Sequence, residues 1–185
     1  TAEDARHGIA IRDYLLAADF IPADIRPAYE SVCDAALERI GYCYERAGRP
    51  RELRLHGDFH PGNVLVLDGV AHIVDFDETC SGPAVQDLWM FLSGDRHEQT
   101  PQLAELLAGY TEFRDFDAAE LNLIEALRTL RIMHYAAWLA RRWDDPAFAI
   151  AFPWFNGQRY WDEHVLALRE QIALMDEEPL AWECV

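Results

Sequence analysis

The sequence predicts a mainly α-helical chain of the α+β class, in which a small β-hairpin region interrupts a series of helices. Apolar residues recur at helical spacing through most of the 185 residues, and strand-like alternation is confined to residues 53–74. A hydrophobic content of 51% with 12% aromatic residues is typical of a folded chain rather than a disordered one. No repeat, low-complexity tract or long linker divides the sequence, so we interpret residues 1–185 as one lobe.

Helical periodicity and helix-ending residues define the predicted helices, of which two precede the β region and the others follow it. Asp115, Phe116 and Asp117 mark the clearest break between helices, and acids at that point complement the dipole of the helix that follows. The predicted helices cover residues 5–20, 27–48, 82–92, 103–110, 121–137 and 165–175.

The β region begins with a short strand that leads into a polar loop. Residues 53–56 alternate between apolar and polar side chains, as a half-buried strand does. The loop that follows reads His56-Gly57-Asp58-Phe59-His60-Pro61-Gly62-Asn63, and its Pro-Gly pair prevents regular structure there. We therefore expect the chain to turn within this loop.

A hairpin follows the loop. The apolar runs 64–67 and 71–74 flank Asp68-Gly69, which is a strong signal for a two-residue turn. Folding this hairpin brings Asp75 back beside Asn63, although twelve positions separate them. Two oxygen atoms that can serve as metal ligands, one from a carboxylate and one from an amide, then face the same region.

The order of Asp58, Asn63 and Asp75 is the order that phosphoryl transfer from Mg-ATP requires. One carboxylate accepts the proton of the attacking hydroxyl, while an amide oxygen and a second carboxylate hold the magnesium ions that neutralise the phosphates. We predict Asp58 as the catalytic base. Asn63 and Asp75 are the predicted ligands of Mg²⁺ or Mn²⁺ and the residues that bind the ATP co-substrate through the metal.

Three neighbouring residues have supporting or open assignments. His56 is expected to stabilise the loop by hydrogen bonding rather than to take part in chemistry. His60 could pack, hydrogen-bond a backbone carbonyl or touch substrate. Asp77 is interpreted as a further metal-facing acid, with a purely structural role as the alternative.

The motif His56-Gly57-Asp58-x-His60-x-x-Asn63, followed by Asp75-Phe76-Asp77, resembles that of the aminoglycoside phosphotransferase and choline kinase group, relatives of eukaryotic protein kinases. Protein kinases have Arg where Gly57 stands and Gly where Asp77 stands, so this chain departs from them at both positions. The resemblance implies a protein-kinase-like C-terminal lobe, with helices and a small β-hairpin region at the catalytic loop. It also implies an ATP-dependent phosphotransferase activity.

Further downstream, other stretches narrow the resemblance to bacterial Ser/Thr protein kinases built on this small-molecule-kinase fold. Such an enzyme transfers the ATP γ-phosphoryl group to a protein hydroxyl. The alternative within the same group is a kinase of a small molecule such as an aminoglycoside, choline or a homoserine-like alcohol. The stretches that carry the narrower resemblance are residues 82–89, 140–148, 152–154 and 160–161.

The resemblance also implies a role for Asp87. In kinases, an acid at this place accepts backbone N–H bonds from the catalytic loop and stiffens it. From the residues alone, Asp87 could instead be the surface-facing carboxylate of an apolar helix.

The sequence contains no Lys, since all 16 basic residues are Arg. Kinases of this superfamily use a strand Lys to hold the α- and β-phosphates under a glycine-rich loop. The first fifty residues predict helices rather than the strands of such a lobe. We therefore expect the N-terminal nucleotide-binding lobe to lie outside residues 1–185, and this chain alone to be inactive.

Charge and composition limit the partners and the location. The net charge of −17, from 33 acids against 16 bases, argues against nucleic acid or an anionic membrane as partner. Cys33, Cys43, Cys80 and Cys184 form no CxxC pair, which fits reduced thiols in a cytoplasmic protein. No apolar run reaches the ~18–20 residues that would span a membrane. The expected partners are ATP, a hydroxyl-bearing substrate and the missing lobe.

Two hypotheses from other functional classes remain for this chain. The alternation His56-x-Asp58-x-His60 could belong to a metal-dependent phosphoesterase, but the other histidines are scattered along the sequence. A non-catalytic binding module is also compatible with the isolated chain.

Overall fold

The computed structural model describes residues 2–182, with side chains from Arg6 onward. Over this part of the chain the structure is mainly helical with two small sheets, which confirms the predicted fold class. No helix among the described residues is long and apolar enough to cross a bilayer. The helices are α1 (Ala2–Ala17), α2 (Arg26–Ala47), α3 (Val85–Leu88), α4 (Arg96–Thr111), α5 (Ile124–Arg141), α6 (Pro146–Ala151) and α7 (Gln158–Met175). The strands are β1 (Leu53–Leu55), β2 (Val64–Leu67), β3 (Val70–Ile73) and β4 (Cys80–Gly82).

The described chain folds into two compact units. Unit 1 comprises residues 2–46 and 125–177, and unit 2 comprises residues 47–124 and 178–182. All four strands and the polar loop belong to unit 2. The interpretation of residues 1–185 as one lobe of a larger kinase stays a prediction.

Unit 1 has an aromatic core. Tyr29, Phe155 and Trp161 are fully buried, and the Trp161 ring lies 5.7 Å from Tyr29 and 5.5 Å from Phe155, centroid to centroid. Such ring pairs add roughly 0.5–1.5 kcal/mol each beyond the burial of their area. Ile11 and Leu15 extend this core from α1 and are also fully buried, as the helical spacing of the apolar residues predicts.

Polar caps mark the start of two helical elements of unit 2. The carboxylate of Asp95 accepts the backbone N–H of Glu98 at 3.0 Å, while the Glu98 side chain accepts the N–H of Asp95 at 2.9 Å. This reciprocal capping box starts α4. Asp117 caps the 3₁₀ turn Ala118–Leu123, so the break predicted at residues 115–117 is confirmed.

Several of the predicted helices differ in extent from those observed. Helices α4 and α7 each begin seven residues earlier than predicted, at Arg96 and Gln158. The first predicted helix ends at Ala17 rather than at residue 20. The helix predicted over residues 82–92 consists of the four-residue α3 and a 3₁₀ turn, Trp89–Phe91. Helical spacing alone does not distinguish α from 3₁₀ geometry over so few residues.

Two short elements were not predicted. Helix α6 carries a start signal, with Pro146 in its first turn and an Asp145 carboxylate that accepts the N–H of Ala147 at 2.9 Å. Strand β4 has only three residues, which is too short for an alternating pattern, and it is stabilised by pairing with β1.

None of the described cysteines forms a disulfide. Cys33 and Cys43 are buried in unit 1, and Cys80 is exposed on β4, while the expected reduced state stays a prediction. Burial raises the pKa of the Cys33 thiol to about 11. The expectation for Cys184 lies outside the described residues.

Candidate active site

The start of the polar loop is fixed by one carboxylate. Strand β1 pairs antiparallel with β4, with Leu55 opposite Cys80, and the chain then enters the loop. The backbone N–H groups of His56 and Gly57 donate to the two oxygens of Asp87 at 2.7 Å and 2.9 Å. Asp87 thus makes the contact with the loop that the family resemblance implies, although its importance for catalysis stays a prediction.

Gly57 is required by the geometry of the same turn. Its φ of +87° lies in the left-handed region that side chains disfavour. A Cβ atom on this residue would lie 2.0 Å from the carbonyl oxygen of Glu78. The two segments that flank the hairpin therefore approach each other as closely as they do only because residue 57 has no side chain.

His56 connects the loop to the end of the hairpin. Its ring is buried, and Nδ1 accepts the backbone N–H of Asp58 at 3.4 Å. The proton then sits on Nε2, which donates to the carbonyl oxygen of Val74 at 2.8 Å. The His56 ring also contacts Phe76 and Phe59, at centroid distances of 4.8 Å and 5.5 Å. Both ring nitrogens of His56 therefore form hydrogen bonds that stabilise the loop.

Asn63 is held at the end of the loop. It is 8% exposed, and its Nδ2 donates to the backbone carbonyl of Asp58 at 2.9 Å. Its backbone N–H donates to the carbonyl of His60 at 2.9 Å. Because the amide nitrogen is engaged, the orientation of the side chain is fixed with Oδ1 on the other side.

The hairpin has the predicted turn. Asp68 and Gly69 have φ values of 50° and 77°, as a two-residue turn with positive φ at both central positions requires. Strand β3 begins at Val70, one residue earlier than predicted, so that Leu67 pairs with Val70.

Asp75 follows directly from the base of the hairpin. The backbone N–H of Val74 donates to the carbonyl of Asn63 at 3.1 Å. Asp75 therefore directly follows the residue that is bonded to Asn63. Asp75 itself is left-handed, with φ 66° and ψ 63°, and its exposed side chain does not cap the 3₁₀ turn Phe76–Glu78. The backbone conformation directs the chain away from the hairpin at this residue.

The side chains of Asp58, His60 and Asp77 are more accessible. The Asp58 carboxylate retains 27% of its side-chain exposure and lies 3.5 Å from Nε2 of His60. Nδ1 of His60 accepts the N–H of Gly62 at 3.0 Å. Asp77 is exposed in the turn Phe76–Glu78, and no contact among the described residues links its carboxylate to Asn63.

Glu120 is a residue of this region that the sequence analysis missed. It is 3% exposed, and its Oε2 accepts the backbone N–H of Val85 at 3.0 Å, at the start of α3. Burial raises the pKa of this carboxyl group. Since α3 carries Asp87, Glu120 helps to position the carboxylate that holds the loop. No sequence signal identifies it, because its partner is a backbone group 35 positions away.

The residues at this site fit a magnesium or manganese ion. Mg²⁺ prefers hard oxygen ligands and is commonly held by one or two protein groups together with phosphates and waters. Within the described residues, no donor contacts Oδ1 of Asn63 or the Asp75 carboxylate, so both can offer oxygen atoms. No group of three or more His, Cys, Asp or Glu side chains converges as a metal site among the side chains described, residues 6–182.

Comparison with known proteins identifies the family of the chain. The sequence profile of the phosphotransferase enzyme family matches residues 12–124, which is more than half of the chain and includes the whole loop and hairpin.

Individual relatives narrow the comparison. The chain is 44% identical to stress response kinase A of Salmonella choleraesuis over 163 residues, which cover 88% of this chain and 49% of the relative. It is 44% identical to the serine/threonine protein kinase RdoA of Salmonella typhimurium over the same share of each. It is 41% identical to stress response kinase A of Escherichia coli K12 over 182 residues, which cover 95% of this chain and 55% of the relative.

The chain thus spans about half the length of the curated relatives it matches. The similarity to stress response kinase A agrees with the narrower resemblance, which is based on residues 82–89, 140–148, 152–154 and 160–161. From the profile match and the relatives together, the chain belongs to the phosphotransferase enzyme family.

Proposed function

We propose that this chain is the catalytic-loop lobe of a Mg-ATP-dependent Ser/Thr protein kinase similar to stress response kinase A. The observation that carries the proposal is the loop of residues 56–63, held at its start by Asp87 and joined at its end to the base of the hairpin. This arrangement gathers a partly exposed carboxylate, an oriented amide and a second carboxylate in one region of unit 2.

Asp58 is the proposed catalytic base. Its carboxylate is accessible to an acceptor hydroxyl, while its backbone carbonyl is engaged by the Asn63 amide. A base must lie within hydrogen-bond reach of the proton it takes, and a loop fixed at both ends holds it there. His60, 3.5 Å from this carboxylate, is proposed to position it.

Asn63 and Asp75 are the proposed metal ligands, with Asp77 as a further candidate. The bound ion would neutralise the negative charge of the ATP phosphates. Asn63 contributes an oxygen whose direction is set by the bond from its own amide nitrogen. Asp75 contributes an unpaired carboxylate at the point where the chain leaves the hairpin.

The groups that hold the ATP phosphates are proposed to come from an N-terminal lobe outside these 185 residues. Two facts motivate this. The chain spans about half the length of its relatives, and its sequence offers no Lys for a phosphate clamp. Phosphoryl transfer depends on positioning and on electrostatic stabilisation from both sides of the phosphate chain.

A kinase of a cationic small molecule is the second candidate, and the charge around the loop favours it. No Arg occurs between Arg54 and Arg96, whereas this stretch contains Asp58, Asp68, Asp75, Asp77, Glu78, Asp87 and Asp95. An amino alcohol such as choline or an aminoglycoside would be attracted to this segment. A basic protein substrate would be attracted as well.

A phosphotransfer assay tests the proposal. The full-length protein is incubated with γ-labelled ATP and Mg²⁺, and with either a basic Ser/Thr protein, choline or an aminoglycoside as acceptor. Incorporation into the protein supports the first candidate, and incorporation into the small molecule supports the second. Label released to water with every acceptor would contradict both.

The matched variants are Asp58→Asn and Asp68→Asn. We expect Asp58→Asn to lower kcat by on the order of 10²–10⁴ with little change in ATP affinity. Asp68→Asn should leave kcat unchanged, because Asn also accepts the positive φ of the hairpin turn. Near-normal turnover of Asp58→Asn would remove this residue from the mechanism.

A further inference from the structure

An open groove of about 550 Å³ lies in unit 2, lined by residues that the phosphotransfer site does not use. Strand β1 contributes Leu53 and Arg54, and the end of α4 with the residues after it contributes Tyr110, Phe113 and Arg114. We refer to these five residues as the Arg54–Arg114 groove. It combines two cationic side chains with an apolar and aromatic surface.

Positive charge is concentrated here in an otherwise acidic chain. Unit 2 has five arginines in its described part, Arg49, Arg51, Arg54, Arg96 and Arg114. Two of them, Arg54 and Arg114, line the groove, and no acidic residue is among its lining residues. The groove lining is thus cationic, although the whole chain has a net charge of −17.

The side chains of Arg54 and Arg114 form no ion pair with the described acids of unit 2. Among the residues that the structure describes, no side-chain hydrogen bond or ion pair engages Arg54 or Arg114. Arg96, in contrast, donates to the carbonyl oxygens of Glu178 and Pro179. Glu120, whose charge also reaches Tyr110, is committed to the backbone N–H of Val85. The guanidinium groups are therefore available to an external anion, for which their planar donor fork is suited.

The apolar side of the groove is exposed. Phe113 is 89% exposed, the highest value among the large apolar side chains that the structure describes. Tyr110 packs edge-on against Phe116 at 5.9 Å, and Phe116 packs in the same way against Trp182 at 5.7 Å. Tyr110 is therefore held by a ring contact, while Phe113 offers an exposed apolar surface beside it.

The strand that contributes Arg54 also has one edge without a strand partner. Strand β1 pairs with β4 only, and no other described backbone group pairs with it. An exposed edge can accept an extended peptide as an additional strand, with main-chain hydrogen bonds giving affinity and side-chain contacts giving specificity. A free phosphate or a nucleic acid would use neither this edge nor the apolar wall.

We propose that the Arg54–Arg114 groove binds an extended peptide segment that carries one anionic side chain next to an apolar one. Arg54 and Arg114 bind the anion, which is the phosphate of a phosphorylated Ser or Thr. The apolar neighbour covers Phe113 and Leu53. The groove is a docking site in addition to the proposed phosphotransfer site and does not depend on that activity.

Fluorescence anisotropy on the full-length protein tests this proposal. The probes are a labelled peptide with one phosphoserine between two leucines, and the same peptide with Asp or with unmodified Ser. We expect the phosphoserine peptide to bind at least about tenfold more tightly than the Ser peptide, with affinity falling as salt is raised. Equal affinity for the phosphoserine and Asp peptides would show that any acidic motif is bound. Higher affinity for the phosphoserine peptide would show that the motif is phosphorylated.

Substitutions locate the site. Arg54→Gln and Arg114→Gln should each weaken binding of the phosphoserine peptide by about tenfold, and Phe113→Ala should weaken binding of all three peptides. The control is Arg49→Gln, an exposed arginine of the same unit that does not line the groove, and it should bind as the unsubstituted protein does. Thermal denaturation checks that each variant is folded.

Two results would overturn the proposal. The first is a failure of every peptide to bind, or equally tight binding of the phosphoserine peptide by Arg54→Gln, Arg114→Gln and Arg49→Gln. The other is that inorganic phosphate competes as well as the phosphoserine peptide while Phe113→Ala has no effect, which would reduce the groove to a site for simple anions. Since the assay measures binding alone, it is independent of whether the protein transfers phosphate.

Discussion

Asp87 accepts the backbone N–H of His56 at 2.7 Å from a position 31 residues further along the chain. Its second oxygen accepts the N–H of Gly57 at 2.9 Å. One carboxylate therefore satisfies two successive backbone donors, in a turn where neither can pair within a helix or a strand. A charged acceptor strengthens both bonds, and removal of either leaves a backbone donor without a partner.

We expect Asp87→Asn to lower the free energy of unfolding by about 1–3 kcal/mol, because the amide offers one acceptor oxygen and turns an NH₂ group toward the other donor. Urea denaturation measures this. The control is Asp115→Asn, an exposed acid of the same unit, which should leave the midpoint unchanged. Identical midpoints for the two variants would show that the Asp87 bonds do not stabilise the loop.

Gly57→Ala should be more damaging than an ordinary substitution at a glycine with positive φ. The new methyl group would lie 2.0 Å from the carbonyl oxygen of Glu78, in addition to the strain of φ +87°. Gly69→Ala has only the strain, since nothing lies within 4 Å of the added carbon, and should cost about 1–2 kcal/mol.

The difference between these two variants in urea denaturation isolates the steric term. Gly109→Ala is the opposite control, because it lies inside α4 with open space around the added carbon, and it should stabilise the protein by roughly 0.5–1 kcal/mol. If Gly57→Ala and Gly69→Ala were equally stable, the close approach of Glu78 would have no energetic weight.

Asp75→Asn should weaken the binding of Mn²⁺ in the presence of nucleotide by about tenfold or more, which corresponds to at least about 1.4 kcal/mol. The substitution keeps the size of the side chain and removes the charge that attracts the ion. Electron paramagnetic resonance of free Mn²⁺ measures the affinity without reference to turnover. Asp68→Asn removes a charge from the nearby hairpin turn and should bind Mn²⁺ normally, so equal loss in both variants would point to a general effect of charge.

The 185-residue chain by itself should show neither phosphotransfer nor tight binding of Mg-ATP, whereas the full-length protein should show both. The chain has the proposed base and metal ligands, but no Lys for a phosphate clamp, and loss of half of the electrostatic environment removes most of the rate enhancement. Isothermal titration with Mg-ATP and a phosphotransfer assay on both proteins provide the comparison. Measurable turnover by the chain alone would place the nucleotide site within these residues.

The sequence predicts those parts of the structure that depend on local chemistry. The Asp68-Gly69 turn follows from two residues that tolerate positive φ, and β2 and β3 follow from the apolar runs beside it. The helical class follows from periodicity. The turn and the class are confirmed, whereas the catalytic and metal-binding roles of Asp58, Asn63 and Asp75 stay predictions.

The features that sequence reasoning missed depend on partners distant in the chain. Glu120 is identified only by its bond to Val85, and β4 only by its pairing with β1. The Arg54–Arg114 groove likewise combines two segments that no local pattern connects. Even the contact of Asp87 follows from the family resemblance, because from the residues alone Asp87 could instead be a surface-facing carboxylate.

His164 gives unit 1 a defined sensitivity to acid. The side chain is 5% exposed, with its ring 5.8 Å from Tyr29 and 5.6 Å from Trp161, and its Nε2 has no hydrogen-bond partner in the described chain. Burial among these rings lowers its pKa to about 4, whereas in the unfolded chain a His side chain has a pKa of about 6.5.

Between these two pKa values the unfolded state binds the proton and the folded state does not. The contribution of His164 to stability is therefore complete above about pH 6.5, falls as the pH is lowered, and reaches its full loss of roughly 3 kcal/mol below about pH 4. We expect the free energy of unfolding to drop by about 2 kcal/mol between pH 7 and pH 5 on account of this residue alone.

In His164→Phe, which keeps an aromatic ring without a titratable group, that part of the pH dependence should disappear. His97→Gln, a substitution at an exposed histidine on α4, should retain it. Urea denaturation of the three proteins at both pH values provides the measurement, and an unchanged pH dependence in His164→Phe would show that the residue takes up its proton without unfolding unit 1.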